Sequence, residues 1–315
     1  MADGALDIVG LGLATLDVLV RVQELPTWEH MGAMSGFALD GGGPVGTGLV
    51  AAARLGARVG YVGTAGTDRT AELKLEFLAR EGLDLSRLVR RPGPEGNVIL
   101  VCVDEATGER TFTGLRDRHR TPLAPEELDR AYLTAARYLH LDGHHPEAAL
   151  AAARWMHAAG REVLLDGARV HGPGGRVSDA LAALVREVDI LICGSGFVPA
   201  LTGRDDIWEA GRAALDLGPR IVVQTEGADG AYTVSREGLF HTPAFAVDVV
   251  DTTGAGDVFH GAYLVGLLHG WDLPEVTLFA SAVSALKCGH LGGRAGIPTF
   301  DRTLEFLADR GVYLS

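Results

Sequence analysis

The sequence predicts an α/β protein with a mostly parallel sheet flanked by helices and a small β-sheet lid beside it. Three observations carry that expectation. From about residue 44 onward, short β-branched runs alternate with longer Ala/Leu-rich segments of helical periodicity, the pattern of strand–helix–strand units. Two stretches, 12–42 and 96–114, break the alternation and hold strand-like pieces with no helix between them. The 315 residues, 47% hydrophobic but only 6% aromatic, suit one large domain with an Ala/Val/Leu core and at most a small appendage.

In chain order, 18–22 and 34–39 read as strands of the small sheet, and 59–62 as a strand of the large one. A helix is expected over 71–80, and a hairpin over 97–103 and 110–113 around a turn at Ala106-Thr-Gly108. Residues 138–142 form a strand, 146–159 a helix and 162–166 a strand. The pattern continues through strand 190–192, helix 207–217, strand 220–224 and a strand-like run at 245–250. Beyond 254 the chain is helical, with apolar periodicity in 258–268, 276–286 and 304–307. The expected division is 1–11, 43–95 and 115–315 for the α/β domain, and 12–42 with 96–114 for the small sheet. That sheet could serve as a lid or equally as a dimer contact.

Composition excludes several classes. A formal net charge of -13 argues against non-specific nucleic-acid binding, which needs cations to neutralise phosphates. Cys102, Cys193 and Cys288 form no CxxC pair and sit among apolar residues, as reduced buried thiols do. The N-terminus has no basic start followed by an apolar run. No apolar stretch approaches the roughly 18 residues of a membrane span. A soluble cytoplasmic protein is expected.

The chemistry concentrates at Gly254-Ala-Gly256-Asp257, which opens a long apolar helix. The first N–H groups of a helix lack internal partners and carry the positive end of its dipole, so glycines there leave room for an anion. A carboxylate one residue further lies beside the anion rather than binding it. With a phosphoryl group on the N–H cluster and an alcohol beside Asp257, the parts for phosphoryl transfer are present. The plainer alternative is an ordinary helix start capped by Thr252 or Thr253.

Asp251-Thr-Thr-Gly-Ala-Gly-Asp257 resembles the C-terminal signature of the ribokinase-like (PfkB) carbohydrate kinases. Their first signature is similar to Gly41-Gly-Gly-Pro-Val-Gly46, continuing through Leu55-Gly-Ala-Arg-Val-Gly-Tyr-Val-Gly63 to Gly66-Thr-Asp68. The resemblance spans nearly the whole chain. It implies a ribokinase-like fold with a β-sheet lid, ATP with Mg²⁺, and phosphorylation of a hydroxymethyl group on a small sugar or sugar derivative. By position it makes Asp257 the catalytic base and Gly254, Ala255 and Gly256 the anion hole. It puts Asp17, Gly42 and Gly43 at the sugar, and Thr225, Gly227 and Gly230 at the nucleotide. Asp251 and Thr253, with loop 288–296, match a region where some members hold a monovalent cation such as K⁺. A homodimer through the lid would follow the same pattern.

Two departures stand out. Gly46 replaces an Asn of many relatives, and Cys193-Gly-Ser-Gly-Phe197 replaces the Asn-x-x-Glu motif that organises Mg²⁺. Ketohexokinase-like and sulfosugar-kinase-like branches share the second departure, which leaves Mg²⁺ to phosphate oxygens and water. Arg116-Asp-Arg-His-Arg120, basic in an acidic chain, could hold an anionic group of the substrate or be a solvated loop.

Rival readings are weaker. Gly41-x-Gly43-x-x-Gly46 fits a dinucleotide string, but the next strand ends in Gly63-Thr64 with no acidic residue for a ribose. The only lysines, Lys74 and Lys287, each follow a leucine, which excludes a phosphate loop of the Gly-Lys-Ser/Thr type. His140, Asp142 and His144 could suggest a metal site, against a strand end facing a ligand crevice. A nucleoside kinase of the same fold, or a relative that binds sugar or nucleotide without turnover, are the remaining alternatives.

Overall fold

The computed structural model describes residues 5–115, 122–170 and 175–315. Six runs of β-branched and leucine residues, too apolar to face water on either side, form the parallel part of an eight-stranded sheet. In spatial order the strands are Leu239–Thr242, Ala231–Ser235, Ile221–Thr225, Ile190–Gly194, Glu162–Asp166, Tyr138–Leu141, Ile8–Leu11 and Val59–Val62. The first two pair antiparallel at one edge, and the rest are parallel.

Alternate residues of each strand enter two cores. Ile8, Leu164 and Ile190 face one, lined by helices Pro44–Arg54, Arg69–Ala79, Ala255–His269, Leu273–Lys287 and Phe300–Ala308. Val9, Leu165 and Leu191 face the other, under helices that include Pro146–Ala158 and Ile207–Leu215. Most helix starts are fixed by a side chain. Asp68 accepts from the Ala71 amide, Asp206 from Trp208 and Glu209, and Asp272 with Glu275 forms a capping box.

A separate four-stranded sheet has the order Met34–Gly42, Thr15–Val22, Val98–Asp104, Arg110–Gly114. Leu19, Val101 and Val103 form a small core on one face with Leu291 of the main body. Phe37, Leu39 and Leu100 stand exposed on the opposite face.

Three strands differ from the sequence expectation. Ile8–Leu11, at only four residues, and the half-polar pair Ala231–Ser235 and Leu239–Thr242 have no clear pattern, yet all join the large sheet. Conversely, 245–250 is not a strand. Phe245 and Val247 pack on the core while Ala246 and Asp248 between and after them are exposed, so the alternation reflects one-sided burial without a neighbouring strand.

Candidate active site

The helix Ala255–His269 begins without a side-chain cap, at Gly254 with φ 73°. Both neighbouring threonines are engaged elsewhere. Thr253 donates its amide and hydroxyl to Asp251 Oδ1 at 2.8 and 2.7 Å, and the Thr252 hydroxyl accepts from Arg110 of the small sheet. The amides of Gly256 and Asp257 meet no acceptor among the described residues, and a Cβ on Gly256 would find open space. An unpartnered amide pair at the positive end of a fifteen-residue helix is a ready anion site. Capping by threonine is thereby excluded.

Asp257 lies in the first turn of that helix, half-buried. Burial, and then the charges of Asp166, Asp142 and Asp17, push its carboxyl up to about 7, against the opposing influence of His260. Asp166 and Asp142 follow from neighbouring parallel strands at their carboxyl ends. Asp142 accepts from the Leu13 amide at 2.7 Å and the His144 amide at 2.9 Å, yet burial still lifts it to about 6. Asp17, on Thr15–Val22, is buried and accepts from the Thr15 hydroxyl at 2.5 Å; desolvation raises it to about 6 as well. Gly42 must be glycine here, since a Cβ would stand 2.1 Å from Asp17 Oδ2. Gly43 is the boundary residue of helix Pro44–Arg54, directly beyond it.

A cleft of about 480 Å³ runs away from the uncapped helix start. Thr225, Gly227 and Gly230 line it together with Ala255, Gly256 and Val249. At the same end, Glu226 receives the Ser195 hydroxyl and the Gln224 amide. Ser195 belongs to the segment lacking the Asn-x-x-Glu motif, so this carboxylate comes from the next strand end instead.

Asp251 and Thr253 meet loop 288–296 through the Gly292 amide, which donates to Asp251 Oδ2 at 2.8 Å. A cation already stands there. The fully buried Lys287 ammonium donates to the Asp251 carbonyl at 2.8 Å. Gly46 also has a structural reason: a Cβ would lie 2.7 Å from Arg294 Nη2, which donates to the Gly42 carbonyl at 2.8 Å. Arg294 Nε reaches Thr47 Oγ1 at 3.3 Å, so this buried guanidinium fills the space above the glycines. Arg116 and the rest of its basic cluster lie outside the described residues.

His140, Asp142 and His144 do not converge on a metal. His140 is wholly buried, its ring 5.7 Å from that of His260, and burial pushes it well below the usual imidazole range. Among the described residues the set with ligand spacing is Asp166, Asp257 and His260, whose ligand atoms lie within 4.8 Å of one another.

The description pfkB family carbohydrate kinase matches residues 5–300 of the chain. The chain belongs to the pfkB family of carbohydrate kinases. It is 31% identical over 308 residues to an ATP-dependent ribose-1-phosphate kinase of Halopiger xanaduensis, covering 96% of this chain and 98% of that one. It is also 31% identical to an aminoimidazole riboside kinase of Salmonella typhimurium, over 84% and 86% of the two chains. The fold superposes on a Thermotoga maritima ribokinase with a TM-score of 0.81 at 24% identity, covering 96% and 99%. Arabidopsis thaliana ribokinase complexed with ribose and ATP gives 0.80 at 23%, over the same shares. The pfkB assignment makes this chain a phosphotransferase with a hydroxyl acceptor, and the ribokinase-like fold read from its signatures is the fold observed.

The sequence reading of this pfkB chain missed four polar residues, Asp166, His260, Lys287 and Arg294. Signals existed for two of them: His260 follows Asp257 by three positions on a helix and so shares its face, and Asp166 ends the expected strand 162–166, where open α/β sheets gather ligand groups. Lys287 and Arg294 are brought in by long-range packing, for which local sequence carries no mark.

Proposed function

We propose that the protein transfers the γ-phosphate of ATP to a hydroxymethyl group of a small sugar or sugar derivative, with Asp257 as base. The observation that carries this reading is the uncapped helix start with a carboxylate beside it, opening onto a cleft. A base with its carboxyl near 7 is matched to neutral operation. Asp257 takes the proton as the hydroxyl oxygen attacks phosphorus. The amides of Gly256 and Asp257 receive the negative charge on the phosphoryl oxygens, aided by the helix dipole, with Gly254 at the same helix start; the Ala255 amide is held by the Thr252 carbonyl at 3.2 Å.

The nucleotide end is Thr225, Gly227 and Gly230. The cleft volume suits a nucleotide, and its apolar wall at Phe245, Val247 and Ala285 suits a base ring. Mg²⁺, when bound with ATP, would neutralise phosphate charge, with Glu226 as a carboxylate at that end. Asp17 with Gly42 and Gly43 is the sugar end, where a carboxylate accepts from vicinal hydroxyls. The small sheet of 12–42 and 96–114 is a lid over this end. Support comes from the Arg110–Thr252 contact between it and the helix start. Its exposed Phe37, Leu39 and Leu100 would suit a second copy of the chain.

An ADP-release panel of ribose, ribose 1-phosphate, a riboside and a ketohexose identifies the acceptor. With it, Asp257→Asn should keep ATP affinity and lose turnover by roughly 10²–10⁴-fold, the usual worth of a positioned base. Turnover within a few-fold of the parent would remove Asp257 from the mechanism.

A further inference from the structure

We propose that Asp166 and His260 share one buried proton behind Asp257, which leaves the Asp257 carboxylate ionised and free for the acceptor hydroxyl. This inference rests on reading Asp257 as the base.

The geometry of the cluster favours a proton. His260 Nδ1 is buried, lies 3.6 Å from Asp166 Oδ2 and has no hydrogen-bond partner. Of the two ring nitrogens, Nδ1 is the one buried without a partner, and it is the one that faces Asp166. Asp166 Oδ1 is already occupied by the Ala168 amide at 2.7 Å, which leaves Oδ2 for the imidazole. With no proton present, two carboxylates and a lone pair would converge within 4.8 Å without a donor, an unfavourable arrangement out of water.

The same geometry says where the proton resides. Asp257 is half-buried and stands at the positive end of its helix, which favours its ionised form once the Asp166 charge that helps to raise it is neutralised. Asp166 and His260 are buried, at 5% and 4% exposure, with the dipole acting less on them. Imidazolium facing carboxylate, or carboxylic acid facing Nδ1, satisfies the same pair, and a shared proton would draw the 3.6 Å separation in to hydrogen-bond distance. The groups facing the cluster are His140 from the adjoining strand, the Cys193 thiol, Asp142, Asp17 and the Arg294 guanidinium. Two of these are acidic, so an unprotonated Asp166 would add a third negative charge against Asp257.

During transfer the acceptor O–H bond breaks as its oxygen bonds to phosphorus, and the proton passes to Asp257. The bond from phosphorus to the leaving oxygen breaks with its electron pair departing on ADP. The Asp166–His260 proton stays in place throughout and positions the carboxylate rather than reacting.

Nitrogen NMR of the protein with labelled histidine, without ligands and between about pH 5 and 9, reads this directly. His260 Nδ1 should show a shared hydrogen bond across the range, altered in Asp166→Asn. A plain unprotonated Nδ1, unchanged by Asp166→Asn, would overturn the proposal. So would selective broadening of His260 by equimolar Mn²⁺ without nucleotide, which would make the cluster a metal site.

The acid limb of kcat/KM for the best acceptor gives a second readout. His260→Asn leaves a charged Asp166 beside Asp257 and should move the limb up by about one pH unit. Asp166→Asn removes that charge and should hold the limb or move it down. Reduced rates with both limbs unmoved would make the pair mere packing. If Asp257→Asn keeps its turnover while the nitrogen signal is as described, the base reading fails and the shared proton stands.

Discussion

An ammonium with no exposed surface needs a fixed acceptor, and Lys287 finds one in the Asp251 carbonyl at the end of Leu273–Lys287. Burial holds its pKa below the usual lysine range, and the nearby Asp251 charge works in the other direction. Sequence alone named Asp251 and Thr253 but used Lys287 only to exclude a phosphate loop, because the segment that folds onto it is remote. The consequence concerns salts. We expect a tethered cation to make added K⁺ superfluous, so replacing K⁺ by choline should change turnover less than about twofold, against the 10-fold or more of losing one charge-assisted hydrogen bond. Lys287→Met should lose about that factor and recover part of it in K⁺. A strong K⁺ requirement in the parent protein would refute the tethered-cation view.

At the scale of elements, the helix starts differ. Asp68, Asp206 and Asp272 cap their helices, whereas Thr252 and Thr253, the caps the sequence left open, are turned to other partners. Gly254 takes the left-handed backbone that this uncapped turn requires, and a Cβ there would meet the Gly293 carbonyl at 3.0 Å. Gly254→Val therefore combines backbone strain with crowding of the amides, and should cost about 1–3 kcal/mol of stability. Single-turnover rates at saturating ligands should fall as well, even at temperatures where the variant is folded. A stable variant with an unchanged chemical step would place the anion elsewhere. The strand expectations succeeded where both faces are buried, as at Val59–Val62, and failed at 245–250. Alternation there marks burial on one side, which hydrogen bonding to a neighbour need not follow.

Across the whole molecule, Asp142, Asp166 and Thr225 all stand at the carboxyl ends of parallel strands, where open α/β sheets gather ligand groups. The crevice was therefore legible as a location, while the convergence of Asp17 on Asp257 depends on how the two sheets meet. The small sheet meets the body at Leu291, at Arg110, and where Arg294 donates to Asp40 and Gly42, and its closing over the acceptor as a lid is a testable proposal. Hydrogen exchange should slow in 12–42 and 96–114 when the acceptor binds, and much less when ATP binds alone. Equal protection by either ligand would argue against a lid specific to the sugar end.

The two lysines offer a use of a different kind. Lys74 is sealed against Glu95, Nζ to Oε2 at 2.6 Å, and Lys287 against Asp251, so neither side-chain amine reaches the surface. An amine-directed acylating reagent should leave both untouched in the native protein and modify both in urea. Peptide mass spectra of pulsed samples would then clock unfolding at two internal positions, far apart in sequence, without any engineered label. Rapid acylation of either lysine under native conditions would show that its seal opens locally, well short of global unfolding.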